Sequence, residues 1–267
     1  MTSQAAQGRW GDLAARIGSG IVILLVGAAM LKLPLSLAGA GISALIGGLI
    51  WELTRLSVPV PAPRLVMGVA LTTGAAMAAV LYLGPSAAPL LLAPLAAGVV
   101  AARPGLRGAY AGMALAMMLA AFGVLWLRAM AGLPATLWVV VIVVLSDVLG
   151  YFVGRIVGGP KFWPAISPKK TWSGTAAGWI GAAVLGLLLV ITGVAPASVI
   201  VIGPILAFAG QMGDIAESWI KRRVGVKDSS QLIPGHGGLM DRFDAMTGSL
   251  GLATLLSLAG WLPAIGG

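Results

Sequence analysis

Asp214, Ser218 and Lys221 follow one another at spacings of four and three residues, so on a helix they form one polar stripe with Glu217 and Arg222 at its edges. A carboxylate and an ammonium on one stripe can hold a cation and a phosphate side by side. Lys227 and Asp228 then lead into Leu232-Ile233-Pro234-Gly235-His236-Gly237-Gly238, a loop whose glycines permit turns that other residues resist. Asp241 and Asp244 stand three apart on one helical face, with Arg242 between them. Carboxylates from these two segments are hard oxygen ligands of the kind that hold Mg²⁺, an ion that keeps several waters and shares its shell with substrate phosphates. His236 is the single histidine and there is no cysteine, so no zinc site can be completed. Two readings stay open for His236: it orders the loop or contacts a phosphate, or it is purely structural.

A second group lies upstream. Asp147 falls inside an apolar segment, where an unpaired carboxylate costs on the order of 3 kcal/mol or more. Gly150, Tyr151 and Gly154 share its helical face, and pairing with Arg155 or bonding to a neighbouring helix is the structural alternative to a functional role. The following loop brings Lys161, Lys169 and Lys170 together with Ser167 and Thr171 just before a helix is expected to begin. Hydroxyls and free amides at a helix start favour a bound anion. An ordinary basic loop explains these lysines but not the order Ser-Pro-Lys-Lys-Thr.

The elements that must position these groups are membrane helices. Hydrophobic residues make up 59% of the chain and charged residues 9%, and the mean hydropathy is +1.00, which excludes a soluble globule. The uncharged runs Leu65–Ala102 and Thr171–Gly213 are each long enough for two spans at roughly 20 residues per crossing. Gly84-Pro85-Ser86 and Gly193-Val194-Ala195-Pro196 break them with turn formers. With a first span from about Ile17 to Leu33, the expectation is an all-α, polytopic integral membrane bundle of about nine transmembrane helices. Placing the N-terminus inside puts 15 of the 17 basic residues on the cytoplasmic side and leaves only Lys32 and Arg128 outside, as the positive-inside rule requires. That topology accounts for most of the net charge of +9. A nucleic-acid footprint would need a soluble basic face, so no nucleic acid is expected; the excess near the polar loops suits anionic lipid headgroups and phosphates.

The character of the chain changes near residue 133. Residues 1–133 read as a transmembrane scaffold, in which Glu52 and Arg55 form a snorkelling ion pair at a span end. Residues 134–267 read as the catalytic transmembrane region with its polar loops.

Ser218-Trp219-Ile220-Lys221-Arg222, Lys227-Asp228-Ser229, Pro234-Gly235-His236-Gly237-Gly238 and Asp241-Arg242-Phe243-Asp244 resemble the C-terminal signature of the phosphatidate cytidylyltransferases, or CDP-diglyceride synthases. Ser146-Asp147 through Gly154-Arg155, and Ser167-Pro168-Lys169-Lys170-Thr171-Trp172, are similar to the same family. The resemblance spans about residues 146–244. Ser173 departs from it where an acid is expected, and Ala245 where a serine is common.

The resemblance implies transfer of a cytidylyl group from CTP to phosphatidic acid, giving CDP-diacylglycerol and pyrophosphate. It further implies Mg²⁺, a second monovalent cation such as K⁺, a homodimer, and a place in a bacterial inner membrane with the active site facing the cytoplasm. A phosphate monoester is already an anion at pH 7, so its attack on CTP needs charge neutralisation more than a base. Asp214 and Asp241 are therefore expected at the metal centre, with Asp244 and Asp147 as additional ligands or as carboxylates that support the ligands from behind. Lys221, Arg222 and Arg242 would hold lipid phosphate or pyrophosphate, and Lys169, Lys170 and Thr171 the nucleotide phosphates. Ser218, Lys227, Asp228 and His236 complete the expected substrate contacts. The alternative is a cation- or proton-coupled transporter built on Asp147 and Asp214. A CDP-alcohol phosphotransferase would need a compact acidic run that the sequence lacks.

Overall fold

The computed structural model describes residue 27 and residues 32–60, 62–233 and 237–266. Almost the whole of the expected first span, Ile17 to Leu33, and the loop residues Pro234, Gly235 and His236 lie outside these residues. Eight α-helices stand where the remaining spans were expected: α1 Leu35–Ser57, α2 Pro63–Leu83, α3 Leu92–Ala101, α4 Arg107–Met130, α5 Gly132–Ile156, α6 Trp172–Ile191, α7 Val199–Val224 and α8 Met240–Leu258. Among the described residues six of these segments are long and apolar enough to cross a membrane. The others are α3, which is short, and α8, which opens on three charged residues.

The breaks fall where turn formers stand. Gly84 takes φ +97° and Gly193 φ +72°, left-handed conformations that a glycine adopts without steric cost. Gly225, at φ +83°, closes α7 in the same way, and the Val226 amide returns to the Lys221 carbonyl at 3.0 Å, the bond that ends a helix on a left-handed residue.

The helices pair α1 with α2, α5 with α6 and α7 with α8, while α4 lies between α1 and α8. One core gathers Ile46, Ile50 and Leu53 of α1, Met77 of α2 and Tyr110 and Met117 of α4. A second gathers Trp138 and Ile142 of α5, Ala182 of α6, Leu206 of α7 and Ala253 of α8. Val141, Val144 and Val148 of α5 and Ile180, Val184 and Leu188 of α6 point outward and exposed, an apolar exterior suited to lipid.

Lipid offers no hydrophobic drive for helix association, so membrane helices pack through small residues. A Cβ on Gly174 of α6 would meet the Gly150 carbonyl oxygen at 2.3 Å, and one on Gly248 of α8 would meet the Ala209 carbonyl oxygen at 2.0 Å. These two crossings bring α5 onto α6 and α7 onto α8 at the depth of the polar residues.

One element was not expected. The basic loop after α5 is an antiparallel hairpin, β1 Lys161–Trp163 against β2 Ser167–Thr171. The Phe162 ring packs edge-on against Trp172 with centroids 4.6 Å apart.

Candidate functional site at the ends of α7 and α8

The polar stripe read from the sequence is real on α7: the Ser218 hydroxyl donates to Asp214 Oδ1 at 3.2 Å. The hairpin delivers Lys170 to the same carboxylate, its ammonium 2.5 Å from Asp214 Oδ2. Asp147 lies close enough for the charges of Lys170 and Asp214 to act on it, so α5, the hairpin and α7 meet at one place. Arg155 donates instead to the Tyr151 hydroxyl at 2.8 Å, and of the two structural alternatives for Asp147 the ion pair with Arg155 is not formed.

One turn further along α7, Lys221 faces inward. Its side chain is 9% exposed, and its ammonium lies 2.9 Å from the fully buried Glu217 and 2.5 Å from Asp241. The expected role of Lys221 was to hold a phosphate; here two carboxylates hold it, and a phosphate would have to replace one of them.

Asp241 is densely hydrogen-bonded on one oxygen. Besides Lys221 on Oδ1, its Oδ2 accepts from the Ser229 amide at 2.8 Å, the Ser229 hydroxyl at 3.0 Å and the Gly238 amide at 2.8 Å. Burial alone would raise its pKa, but the Lys221 ammonium and these amides outweigh burial and hold the carboxyl below its ordinary value.

Among the described residues no three histidines or acids gather closely enough to hold a metal ion. The expected trio is therefore not assembled as such: Asp214 pairs with Lys170, and Asp241 is engaged by Lys221, Ser229 and Gly238. Asp244 is the acid whose surroundings differ. The charges of Asp214 and Asp147 act on it, and α7 approaches its backbone so tightly that a Cβ on Gly213 would lie 2.4 Å from the Asp244 carbonyl oxygen. Hard oxygens on facing helices, with the Asp214 charge partly offset by Lys170, are the donor type that a divalent cation takes.

Lys169, Arg222, Lys227, Asp228 and Arg242 are exposed, and Arg222 donates to the Val226 carbonyl at 2.9 Å. Thr171 is buried and caps α6, accepting from the Gly174 amide at 3.2 Å and sharing a hydrogen bond with the Ser173 hydroxyl. Its hydroxyl is thus committed to the helix end. His236 lies outside the described residues.

Two groups escaped the sequence reading. Glu52, expected to snorkel beside Arg55, is completely buried and accepts hydrogen bonds from Ser229, Ser230 and the amides of Leu239 and Met240. Arg55 turns elsewhere, to the Ser229 carbonyl at 3.2 Å and over the Trp51 ring. The α7–α8 loop that supplies Asp241 with partners is therefore tied to α1, across the division expected near residue 133. The signal was present, because an acid within an apolar span has to find a partner. Gln211 is the second: buried on α7, it accepts from the Trp179 indole at 2.8 Å and donates to the Thr175 carbonyl at 3.2 Å, joining α7 to α6 just below Asp214.

Known proteins share this arrangement of sequence. Phosphatidate cytidylyltransferase of Brucella abortus biovar 1 (strain 9-941) is 42% identical over 126 residues, 46% of this chain and 47% of that protein. The protein of the same name from Staphylococcus saprophyticus is 41% identical over 128 residues, 47% of this chain and 49% of its own. That of Bacillus subtilis (strain 168) is 41% identical over 117 residues, 43% and 44% of the two chains. The matches thus span about half the length of these curated relatives. The profile described as the cytidylyltransferase family matches residues 14–258, nearly the entire sequence and every residue of the polar cluster, and the chain belongs to that family.

Proposed function

We propose that the protein transfers the cytidylyl group of CTP to phosphatidic acid, forming CDP-diacylglycerol and pyrophosphate. The observation that carries this reading is the coincidence of the family match with paired lysines and carboxylates at one end of an apolar bundle. A phosphate oxygen of the lipid attacks the α-phosphorus of CTP, the bond from that phosphorus to the bridging oxygen breaks, and pyrophosphate leaves with the electron pair. No proton need be removed from an ionised phosphate, so positioning and charge neutralisation carry the rate.

The exposed cations Lys169, Arg222, Lys227 and Arg242 meet the nucleotide and lipid phosphates. Lys170 and Lys221, each anchored on a carboxylate, present fixed positive charge beneath them. Mg²⁺ would be held by Asp214 and Asp244, with Oδ1 of Asp241, beside Lys221, as a further oxygen donor, and would supply neutralisation of the phosphate charge. Acyl chains of the lipid remain beside the apolar exterior while its headgroup meets soluble CTP. Facing of the site to the cytoplasm is supported by the basic residues gathered at that end of the chain's topology. The homodimer implied by the resemblance belongs to the same proposal. A transporter reading finds no support, because the acids sit together at one end of the bundle and the family is one of transferases.

The test is label transfer by the purified protein from radiolabelled CTP to phosphatidic acid with Mg²⁺, set beside Asp241→Asn. Lipid-linked label from wild type that is lost in the variant supports the reading. A folded, Mg²⁺-supplied wild type that labels no lipid sinks it.

A further inference from the structure

Glu52 is fully buried in α1, and each of its oxygens accepts two hydrogen bonds. Oε1 takes the Ser230 hydroxyl and the Leu239 amide at 2.9 Å; Oε2 takes the Ser229 hydroxyl at 2.9 Å and the Met240 amide at 2.6 Å. The amides of Leu239 and Met240 open α8, and Leu239, the residue at its cap position, offers no side-chain cap. Glu52 therefore caps α8 from another helix, where a carboxylate satisfies free N–H groups and meets the positive end of the dipole. The fit is tight: a Cβ on Gly238 would fall 1.8 Å from Ser229 Oγ and 2.7 Å from Glu52 Oε1.

Ser229 makes this cap matter to the reaction. Its hydroxyl lies 2.9 Å from Glu52 and 3.0 Å from Asp241, yet one hydroxyl carries one proton and donates to one acceptor at a time. When Asp241 takes a partner from the substrate side, the hydroxyl turns to Glu52 and is not left buried and unpaired. We infer that Glu52 is a positioning residue for the cytidylyl transfer proposed above: it fixes the start of α8 and, through the shared Ser229 hydroxyl, sets how Asp241 is presented. The inference rests on that reaction for its kinetic consequence but not for its structural one.

The experiment uses the purified full chain with Glu52→Gln, Glu52→Asp, Ser229→Ala and the Glu52→Gln/Ser229→Ala double variant. Glutamine keeps one acceptor oxygen and turns an amino group toward two of the four donors. The expected result for Glu52→Gln is a fall in kcat on the order of 10- to 100-fold, as for other residues that orient a working carboxylate. KM for CTP should stay within about threefold, since nothing that touches nucleotide is removed. Glu52→Asp keeps the charge and recovers part of the rate. The double variant falls well short of the product of the two single losses, because the Ser229 hydroxyl is shared between both routes. Hydrogen exchange of the 229–240 segment is faster in Glu52→Gln than in wild type. An unchanged kcat in Glu52→Gln, or rate losses in the two single variants that multiply fully in the double, overturns the inference. Should wild type itself label no lipid, the proposed function falls, and exchange alone decides: faster exchange confined to 229–240 sustains Glu52 as the residue that positions Asp241, and unchanged exchange ends the idea. If Glu52→Gln does not yield folded protein, Glu52→Asp carries the same comparison of kcat against exchange.

Discussion

The Lys170 ammonium lies 2.5 Å from the Asp214 carboxylate, and this contact joins a hairpin strand to a helix that begins some thirty residues later in the chain. Both side chains are partly exposed, so the pair is worth only about 1 kcal/mol to the fold. Its larger consequence is positional, because it fixes a charge at the mouth of the site. Lys170→Met is expected to lower the rate of lipid labelling by about 100-fold with little change in thermal stability, the scale of loss that a displaced catalytic charge brings. Lys170→Arg should restore a measurable part. A melting temperature that collapses in Lys170→Met, with activity lost in proportion to unfolded protein, would make the contact structural.

Asp241 makes a pH-dependent contribution with a defined sign. Its folded pKa lies below the ordinary value, so the carboxylate form is favoured in the fold. That stability is complete above the unfolded value of about 3.9 and is lost as pH falls through the lower folded value. Wild type should therefore melt higher than Asp241→Asn by a constant margin at neutral pH, with the margin narrowing only below about pH 4. Thermal unfolding in detergent across an acid series measures it, and a margin that narrows between pH 6 and 8 would assign the stability to another group.

The crossing of α7 and α8 leaves no room for a side chain. Gly248→Ala would drive a methyl to 2.0 Å from the Ala209 carbonyl oxygen, and separating the helices is expected to cost about 3 kcal/mol. Gly112→Ala, on α4 with nothing near its added Cβ, should be neutral or slightly stabilising, since alanine favours helix by about 1 kcal/mol over glycine. Detergent melting curves of the two variants separate the cases, and equal losses would show that the crossing is not tight.

Mg²⁺ dependence distinguishes the acids. Chelation should abolish labelling and added Mg²⁺ restore it. Asp244→Asn is expected to raise the Mg²⁺ concentration needed for half-maximal activity by about 10-fold or more. An Asp244→Asn enzyme with an unaltered Mg²⁺ requirement would move the cation away from Asp244.

The sequence by itself determined the kind of molecule and the order of its parts. Uncharged runs had to become helices because a bilayer leaves no unpaired backbone group unsatisfied, and Gly84 and Gly193 marked helix ends through their freedom at positive φ. The stripe of Asp214, Ser218 and Lys221 was legible because helical periodicity is local. What only the tertiary structure decided is which charge meets which. By its spacing alone Lys221 was free to face a phosphate; its burial between Glu217 and Asp241 follows from how closely glycines let α7 and α8 approach. The hairpin carrying Lys170 to Asp214 depends on strand pairing across a loop whose proline and lysines gave no alternating pattern. Glu52 read as a surface acid because its four donors lie more than 170 residues away along the chain, and a partner at that separation exists only once the helices have packed.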